Sequence, residues 1–211
     1  MELRLALYSD QQPPSTDPID EVVRGWLPAS GGRIGYLPSS PDRERAWFRP
    51  IEAYYGRYGL SLHFFGLEDE FDPSRMGDLF ACHAIHLTGG NTFRFLYWLR
   101  VRGLMDDLCR YAAEGGVLVG ISAGAILMTP DIGSSSLCGD APYPGLESTV
   151  GLGLVDFAVV PHFDGSAEAD LAAYSKEFAG AVYTIPDGGA VLVEGAEVTA
   201  MGGARKATGR S

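Results

Sequence analysis

The stretch VLVGISAGAILM, residues 117–128, holds a single hydroxyl in a run of apolar and very small residues. Its first half reads as a buried strand and its second half as the opening of a helix. At the junction, Gly120-Ile121-Ser122-Ala123-Gly124 fits G-x-S-x-G, the pattern of a serine on a sharp strand-to-helix turn. A residue on such a turn takes a strained backbone conformation. Side chains two positions away on either side would clash, and Gly120 and Gly124 remove them. The turn predicts that the N–H of Ala123 points to where an oxyanion would form. The N-terminus of the following helix adds partial positive charge. The alternative is a small serine packed at a tight crossing, since the pattern arises by chance in a chain with 28 glycines. The strand before it and the helix after it favour the nucleophile.

Outward from this junction, short apolar runs predict further strands at 3–9, 33–38, 60–66, 84–90, 157–163, 182–186 and 190–195. Runs so continuously apolar suit a sheet covered on both faces. Helical patterns separate them. DPIDEVVRGWL (17–27) has Asp17 as its N-cap and Pro18 at its first helical position. RAWFRPIEAYYGRYG (45–59) is amphipathic, with a helix starting at Pro50. Segment 91–103 begins at Asn91, 104–116 ends in glycines, and 166–181 is capped by Ser166. Strands alternating with helices predict an α/β three-layer sandwich with a mostly parallel sheet, as one domain over 1–211. In such sheets ligands collect at the carboxyl ends of the strands.

The bulk numbers narrow the partners. The chain has 211 residues, 46% hydrophobic and 20% charged, as a soluble globular protein would. Sixteen Lys and Arg against 27 Asp and Glu leave a net charge of −11. That balance argues against nucleic acid and against an anionic membrane surface, because both would repel the chain. No stretch approaches the roughly 18 apolar residues of a membrane span. The opening MELRLALYSDQQPP does not read as a signal peptide, because charges and prolines interrupt its apolar run at once. Three cysteines, Cys82, Cys109 and Cys138, are a sparse and odd set, and the expected compartment is the reducing cytoplasm.

A serine hydroxyl is a poor nucleophile near neutral pH and needs a base. The histidines are His63, His83, His86 and His162. His63 lies inside a predicted strand, and His83 and His86 flank the start of another. Cys82, His83 and His86 offer a metal pair on paper, but no further ligand cluster appears. They read as ordinary core or surface groups, and no metal or cofactor is expected. His162, in VVPHFDG, directly follows a strand, with Pro161 fixing the chain as it leaves. It is the expected base. Two carboxylates compete to orient it: Asp140 in SLCGDAPY and Asp187 in TIPDGG. Each also reads as a turn residue. A second oxyanion amide is expected from HLTGGNTF, where Gly89 or Gly90 lets the backbone approach a ligand and Asn91 holds the turn.

Four motifs in this order, LTGGNTFRFLYWLR, GISAGAILM, CGDAPY and VVPHF, give the chain a resemblance to the peptidase E group of serine peptidases, which includes the cyanophycinases. The resemblance covers about residues 84–163 well and the remainder by order of elements. It implies a fold like that of the class I glutamine amidotransferases (flavodoxin-like), with serine in place of cysteine. It implies Ser122 as nucleophile and His162 as base. GDAP is similar to the peptidase E setting of the acidic member, pointing to Asp140. Cyanophycinases draw theirs from a later loop, where Asp187 lies. The GGN triplet is of the peptidase E kind. Peptidase E proteins remove an N-terminal aspartate from short peptides, without metal, in the cytoplasm, and homodimers are implied. The chain departs from the pattern after PHF, where peptidase E carries basic residues. PHFDGSAEADLAAYSKEF offers only Lys176 among acids. Asp164, Glu168 and Asp170 read either as a solvated helix start or as partners for a substrate's amino group. Acids there would repel an aspartyl side chain, so the N-terminal residue preference stays open.

Three functions compete. The first is a serine exopeptidase acting on short peptides. The second is an esterase of the α/β-hydrolase type, which the order Ser122, Asp140, His162 formally satisfies, although those enzymes place the histidine near the C-terminus. The third is an amidotransferase-like scaffold that binds a small molecule without chemistry. Helically spaced aromatics such as Trp47, Tyr54, Tyr55, Tyr97 and Trp98 read as core, some at a dimer face. The end GGARKATGRS reads as a loose terminus.

Overall fold

In a computed structural model, which describes residues 2–207, the first strand feeds two separate cores. This strand is β1 (Arg4–Tyr8). Leu5 and Leu7 join one apolar cluster, whereas Ala6 and Tyr8 join another on the opposite face. That is the period of two expected of a strand covered on both sides. The remaining strands are β2 (Arg33–Leu37), β3 (Ser61–Phe64), β4 (Ala84–Leu87), β5 (Val117–Ile121), β6 (Phe157–Pro161), β7 (Ala181–Ile185), β8 (Ala190–Glu194), β9 (Glu197–Met201) and β10 (Arg205–Lys206). The helices are α1 (Asp17–Gly25), α2 (Phe48–Gly56), α3 (Met76–Phe80), α4 (Thr92–Val101), α5 (Met105–Ala113), α6 (Ala123–Leu127) and α7 (Glu168–Glu177).

The main sheet has the order β3-β2-β4-β5-β1-β8-β9. Its first five strands run parallel, and β8 and β9 run antiparallel to their neighbours. The first core is covered by α3, α4, α5 and α6, through residues such as Leu79, Leu96, Leu108 and Ile126. The second is covered by α1 and α2, through Ile19, Val23, Phe48 and Tyr55. This is the expected α/β sandwich. One expectation of the sequence needs correcting. β6 and β7 do not extend the main sheet; they pair in parallel with each other and, through β7, with β10, as a separate sheet. Short apolar runs say that strands are buried, not which sheet they join. The segment 205–206, read as loose, is that added strand, while 208–211 lie outside the described residues. β9, exposed along most of its length, had no apolar signature to reveal it.

The helix starts shift by a residue or two for local reasons. In α1 the N-cap is Thr16, and Asp17 and Pro18 already lie in the first turn. Thr16 Oγ1 donates to Asp20 Oδ2 at 2.9 Å, and Asp20 Oδ1 accepts the Tyr8 hydroxyl at 2.8 Å. α2 begins before Pro50 because the Asp42 carboxylate accepts the amides of Ala46, Trp47 and Phe48 at 2.7, 3.2 and 2.8 Å. Pro50 then falls in the first turn, where a helix needs no N–H. α7 starts at Glu168, after Ala167 rather than Ser166.

Candidate active site

The parallel strands deliver their carboxyl ends to one edge. Ser9 follows β1, Ser39 follows β2, Thr88-Gly89-Gly90 follow β4 and Ser122 follows β5. Ser122 sits at φ 50° and ψ −105° as the chain turns from β5 into α6. A β-carbon at Gly120 would lie 2.5 Å from the carbonyl of Gly124, and one at Gly124 would lie 2.2 Å from the carbonyl oxygen of Leu87. Both contacts are far inside van der Waals range. Glycine at these two places is what lets β5, α6 and β4 close on one another. The amide of Gly124 then donates to Thr88 O at 3.1 Å and ties the turn to the loop after β4.

The second sheet supplies the partners. His162 leaves β6 at φ 57°, and Asp187 follows β7 by two residues. His162 Nε2 lies 2.9 Å from Ser122 Oγ, and His162 Nδ1 lies 2.6 Å from Asp187 Oδ1. Asp187 is acceptor-only when ionised, so Nδ1 carries the hydrogen and Nε2 is left to accept the serine proton. The hydrogen bond from His162, with a second from Ser9, holds the Asp187 carboxyl below the usual carboxylate range. Ser9 is not among the residues singled out from the sequence. Its hydroxyl donates to Asp187 Oδ1 at 3.0 Å and accepts the backbone N–H of His162 at 2.9 Å. Ser9 N also donates to Gly189 O at 3.0 Å. One residue at the end of β1 thus pins both loops of the smaller sheet to the larger one. Its place at a carboxyl strand end, in LYSD, is the signal that would have found it.

Asp140 goes elsewhere. Its Oδ2 accepts the amide of Thr92 at 2.8 Å and the Thr92 hydroxyl at 2.6 Å, at the start of α4. It makes no hydrogen bond to His162, so of the two carboxylates offered by the sequence it is Asp187 that meets the ring. Asp140 instead braces the loop that carries Gly89, Gly90 and Asn91. Asn91 is the N-cap of α4, with Oδ1 accepting Arg94 N at 2.8 Å. Gly90 has φ 125°, and a β-carbon there would lie 2.2 Å from Ser39 Oγ. Ser39 Oγ donates to Gly89 O at 2.5 Å. A β-carbon at Gly89 would stand 3.6 Å from Ser122 Cβ, which sets this loop directly against the serine. The amides of Gly89, Gly90 and Ala123 have no acceptor among the described residues. Two sources of free N–H groups therefore flank Ser122, as an oxyanion hole requires.

The other histidines stand apart. His86 is buried; its Nδ1 lies 3.1 Å from the Tyr55 hydroxyl, and its ring stacks on Tyr36. Burial pushes its pKa down to about 3, so it is neutral. His83 Nδ1 accepts Arg33 N, His63 meets Ser61, and Cys82 Sγ donates to Asp78 O. No group of three His, Cys, Asp or Glu side chains suited to a metal ion occurs among the described residues. Asp164 accepts the amide of Ser166 at 2.8 Å, and Glu168 and Asp170 lie in the exposed first turn of α7. No helix among the described residues is long and apolar enough to cross a membrane.

The model of peptidase family S51 matches residues 9–201, from the end of β1 to the end of β9. The chain belongs to peptidase family S51, a family of serine peptidases. Among curated relatives of this S51 chain, peptidase E of Streptomyces coelicolor is 28% identical over 68% of the chain and 56% of its own length. Uncharacterized peptidase Lmo0363 of Listeria monocytogenes is 30% identical over 54% of the chain and 58% of its own length. Peptidase E of a Nostoc species is 26% identical over 68% of the chain and 57% of its own length. The chain thus spans just over half the length of the curated relatives it matches. Two solved structures share its fold. A protein of Listeria monocytogenes EGD-e, solved under the name of peptidase E, superposes with a TM-score of 0.78 at 22% identity, over 99% of this chain and 100% of that one. A peptidase from an acI-B1 actinobacterium gives 0.70 at 18% identity, over 98% and 95%.

Proposed function

We propose that this chain is a serine exopeptidase that hydrolyses the first peptide bond of short peptides through Ser122, His162 and Asp187. The observation that carries the reading is the continuous line from Ser122 Oγ to His162 Nε2 at 2.9 Å and from His162 Nδ1 to Asp187 at 2.6 Å. Ser122 Oγ attacks the carbonyl carbon while Nε2 takes its proton. The carbonyl oxygen becomes an oxyanion facing the amides of Ala123 and Gly89 or Gly90, each worth about 3 kcal/mol to the barrier. The imidazolium, steadied by Asp187, then gives its proton to the leaving amine, and the C–N bond breaks. Water, deprotonated by the same nitrogen, cleaves the acyl ester and restores the serine. The exopeptidase assignment draws on the recess beside Ser122, about 540 Å³, which suits one or two residues rather than an extended strand. Free thiols at Cys82, Cys109 and Cys138 suit a reducing, cytoplasmic setting.

Family membership favours a peptidase over an esterase, and the paired Ser122 and His162 favour chemistry over a binding scaffold. The test is twofold. A fluorophosphonate probe is expected to add one adduct at Ser122, and a dipeptide panel is expected to release free N-terminal amino acid. A serine that never labels, in protein that leaves every dipeptide intact, would refute the reading.

A further inference from the structure

The recess beside the nucleophile opens between the carboxyl ends of β1, β2 and β4 and shares Gly89 and Gly90 with the suggested oxyanion loop. A substrate whose carbonyl sits over Ser122 and against those amides has a flanking residue next to this recess, whose lining includes Gly89, Gly90 and Ile121. Its walls are largely apolar: Tyr36 from β2, and Trp47, Pro50 and Ile51 from the start of α2. Trp47 is 63% exposed, a large indole at the rim with no core to join. Such a surface is shaped for an uncharged side chain.

The charges in the recess point the same way. Asp10 is the carboxylate in its lining, His86 in its wall is neutral, and no Lys or Arg lines it among the described residues. Asp10 is fixed by the amide of Gly188, which donates to Oδ1 at 2.8 Å, and by Gln12 Nε2. A carboxylate fixed at the side of an apolar recess is an acceptor for an ammonium group.

We infer that this recess receives the N-terminal residue of the peptide, with Asp10 taking its free ammonium and Tyr36, Trp47 and Ile51 taking an uncharged apolar side chain. The inference rests on the exopeptidase reading and fixes its substrate class. Peptides beginning with Leu, Met or Phe are preferred, and peptides beginning with Asp are poor. An aspartyl carboxylate would enter a recess that offers it Asp10 and, among the described residues, no Lys or Arg, at like-charge cost.

The experiment compares Leu-Leu, Phe-Leu, Asp-Leu and N-acetyl-Leu-Leu on the wild-type protein, with fluorophosphonate labelling of Ser122 measured in parallel. We expect kcat/KM for Leu-Leu to exceed that for Asp-Leu by about 100-fold or more. N-acetylation should abolish turnover. Asp10→Asn should raise KM for Leu-Leu about 10-fold with a smaller change in kcat, because it removes an interaction made in the ground state as well. Ile51→Arg, which puts a cation into the wall, should narrow the preference for Leu over Asp by about 10-fold. If Ser122 labels and Asp-Leu is cleaved as well as Leu-Leu, the recess assignment falls while the triad stands. Equal turnover of the acetylated peptide would likewise overturn the ammonium site alone. If Ser122 does not label and no peptide is cleaved, both readings fall together.

Discussion

The two carboxylates offered by the sequence separate cleanly under one substitution each. In Asp187→Asn, the new amide faces His162 Nδ1 across what is now a 2.6 Å bond. An amide N–H pointed at Nδ1 forces the ring proton onto Nε2, and that nitrogen can no longer accept from Ser122 Oγ. A wrong tautomer of this kind costs about 10⁴ in kcat in a trypsin-type triad, roughly 5.4 kcal/mol of barrier. The Asp187 side chain is 54% exposed, so water offers part of the lost support, and about 10³–10⁴ is expected. The fold should hardly respond, because the carboxylate packs against no core. Asp140→Asn does the opposite. Its Oδ2 accepts two bonds from Thr92, and replacing an ionised acceptor by a neutral one there should lower stability by about 1–2 kcal/mol, with kcat changed by less than about tenfold. The assay is steady-state dipeptide hydrolysis alongside urea denaturation for both variants. A larger loss of kcat in Asp140→Asn than in Asp187→Asn would refute the assignment of the orienting acid.

Four further outcomes follow from the same geometry. Ser122→Ala should lower turnover by about 10⁴-fold or more with stability unchanged within about 1 kcal/mol, checked by kinetics and denaturation. Gly124→Ala should destabilise the protein by about 3 kcal/mol and depress kcat, since its methyl group meets Leu87 O at 2.2 Å and must push α6 away from β4. Ser9→Ala removes one of the two hydrogen bonds that hold the Asp187 carboxyl down, so its titration, followed by carboxyl ¹³C shift, should move toward 3.8. His86 binds its proton near pH 3 when folded and near 6.5 when unfolded, so the unfolded chain carries more protons between those values and stability falls as pH drops through that window. From pH 7.5 to 5.0 this one group should cost about 2 kcal/mol, and urea titrations of wild type and His86→Asn at both pH values should differ by that amount.

Much of this arrangement was legible in the sequence because glycine and apolar runs carry local geometry. GISAG announces its turn, since the clashes that Gly120 and Gly124 avoid are set by neighbours in the chain. VVPHF placed its histidine at a strand end, and Asn91 read as a helix cap and is one. What was not legible depends on contacts far apart in sequence. Asp140 and Asp187 are both acids in loops, and only the docking of the β7 loop against His162 separates them. Ser9 carries no motif, and its role comes from two loops 153 and 178 residues away. The split into two sheets escaped the sequence because β6 and β7 are as apolar as the strands of the main sheet.

That split has a consequence for how the protein fails. The attacking oxygen rides on one sheet and the imidazole and its carboxylate ride on the other, so the reactive alignment measures the fit between two blocks. A slide of half an ångström unseats the ring from the hydroxyl while leaving every strand paired. Gentle heating or low denaturant should therefore extinguish catalysis well before circular dichroism registers any melting.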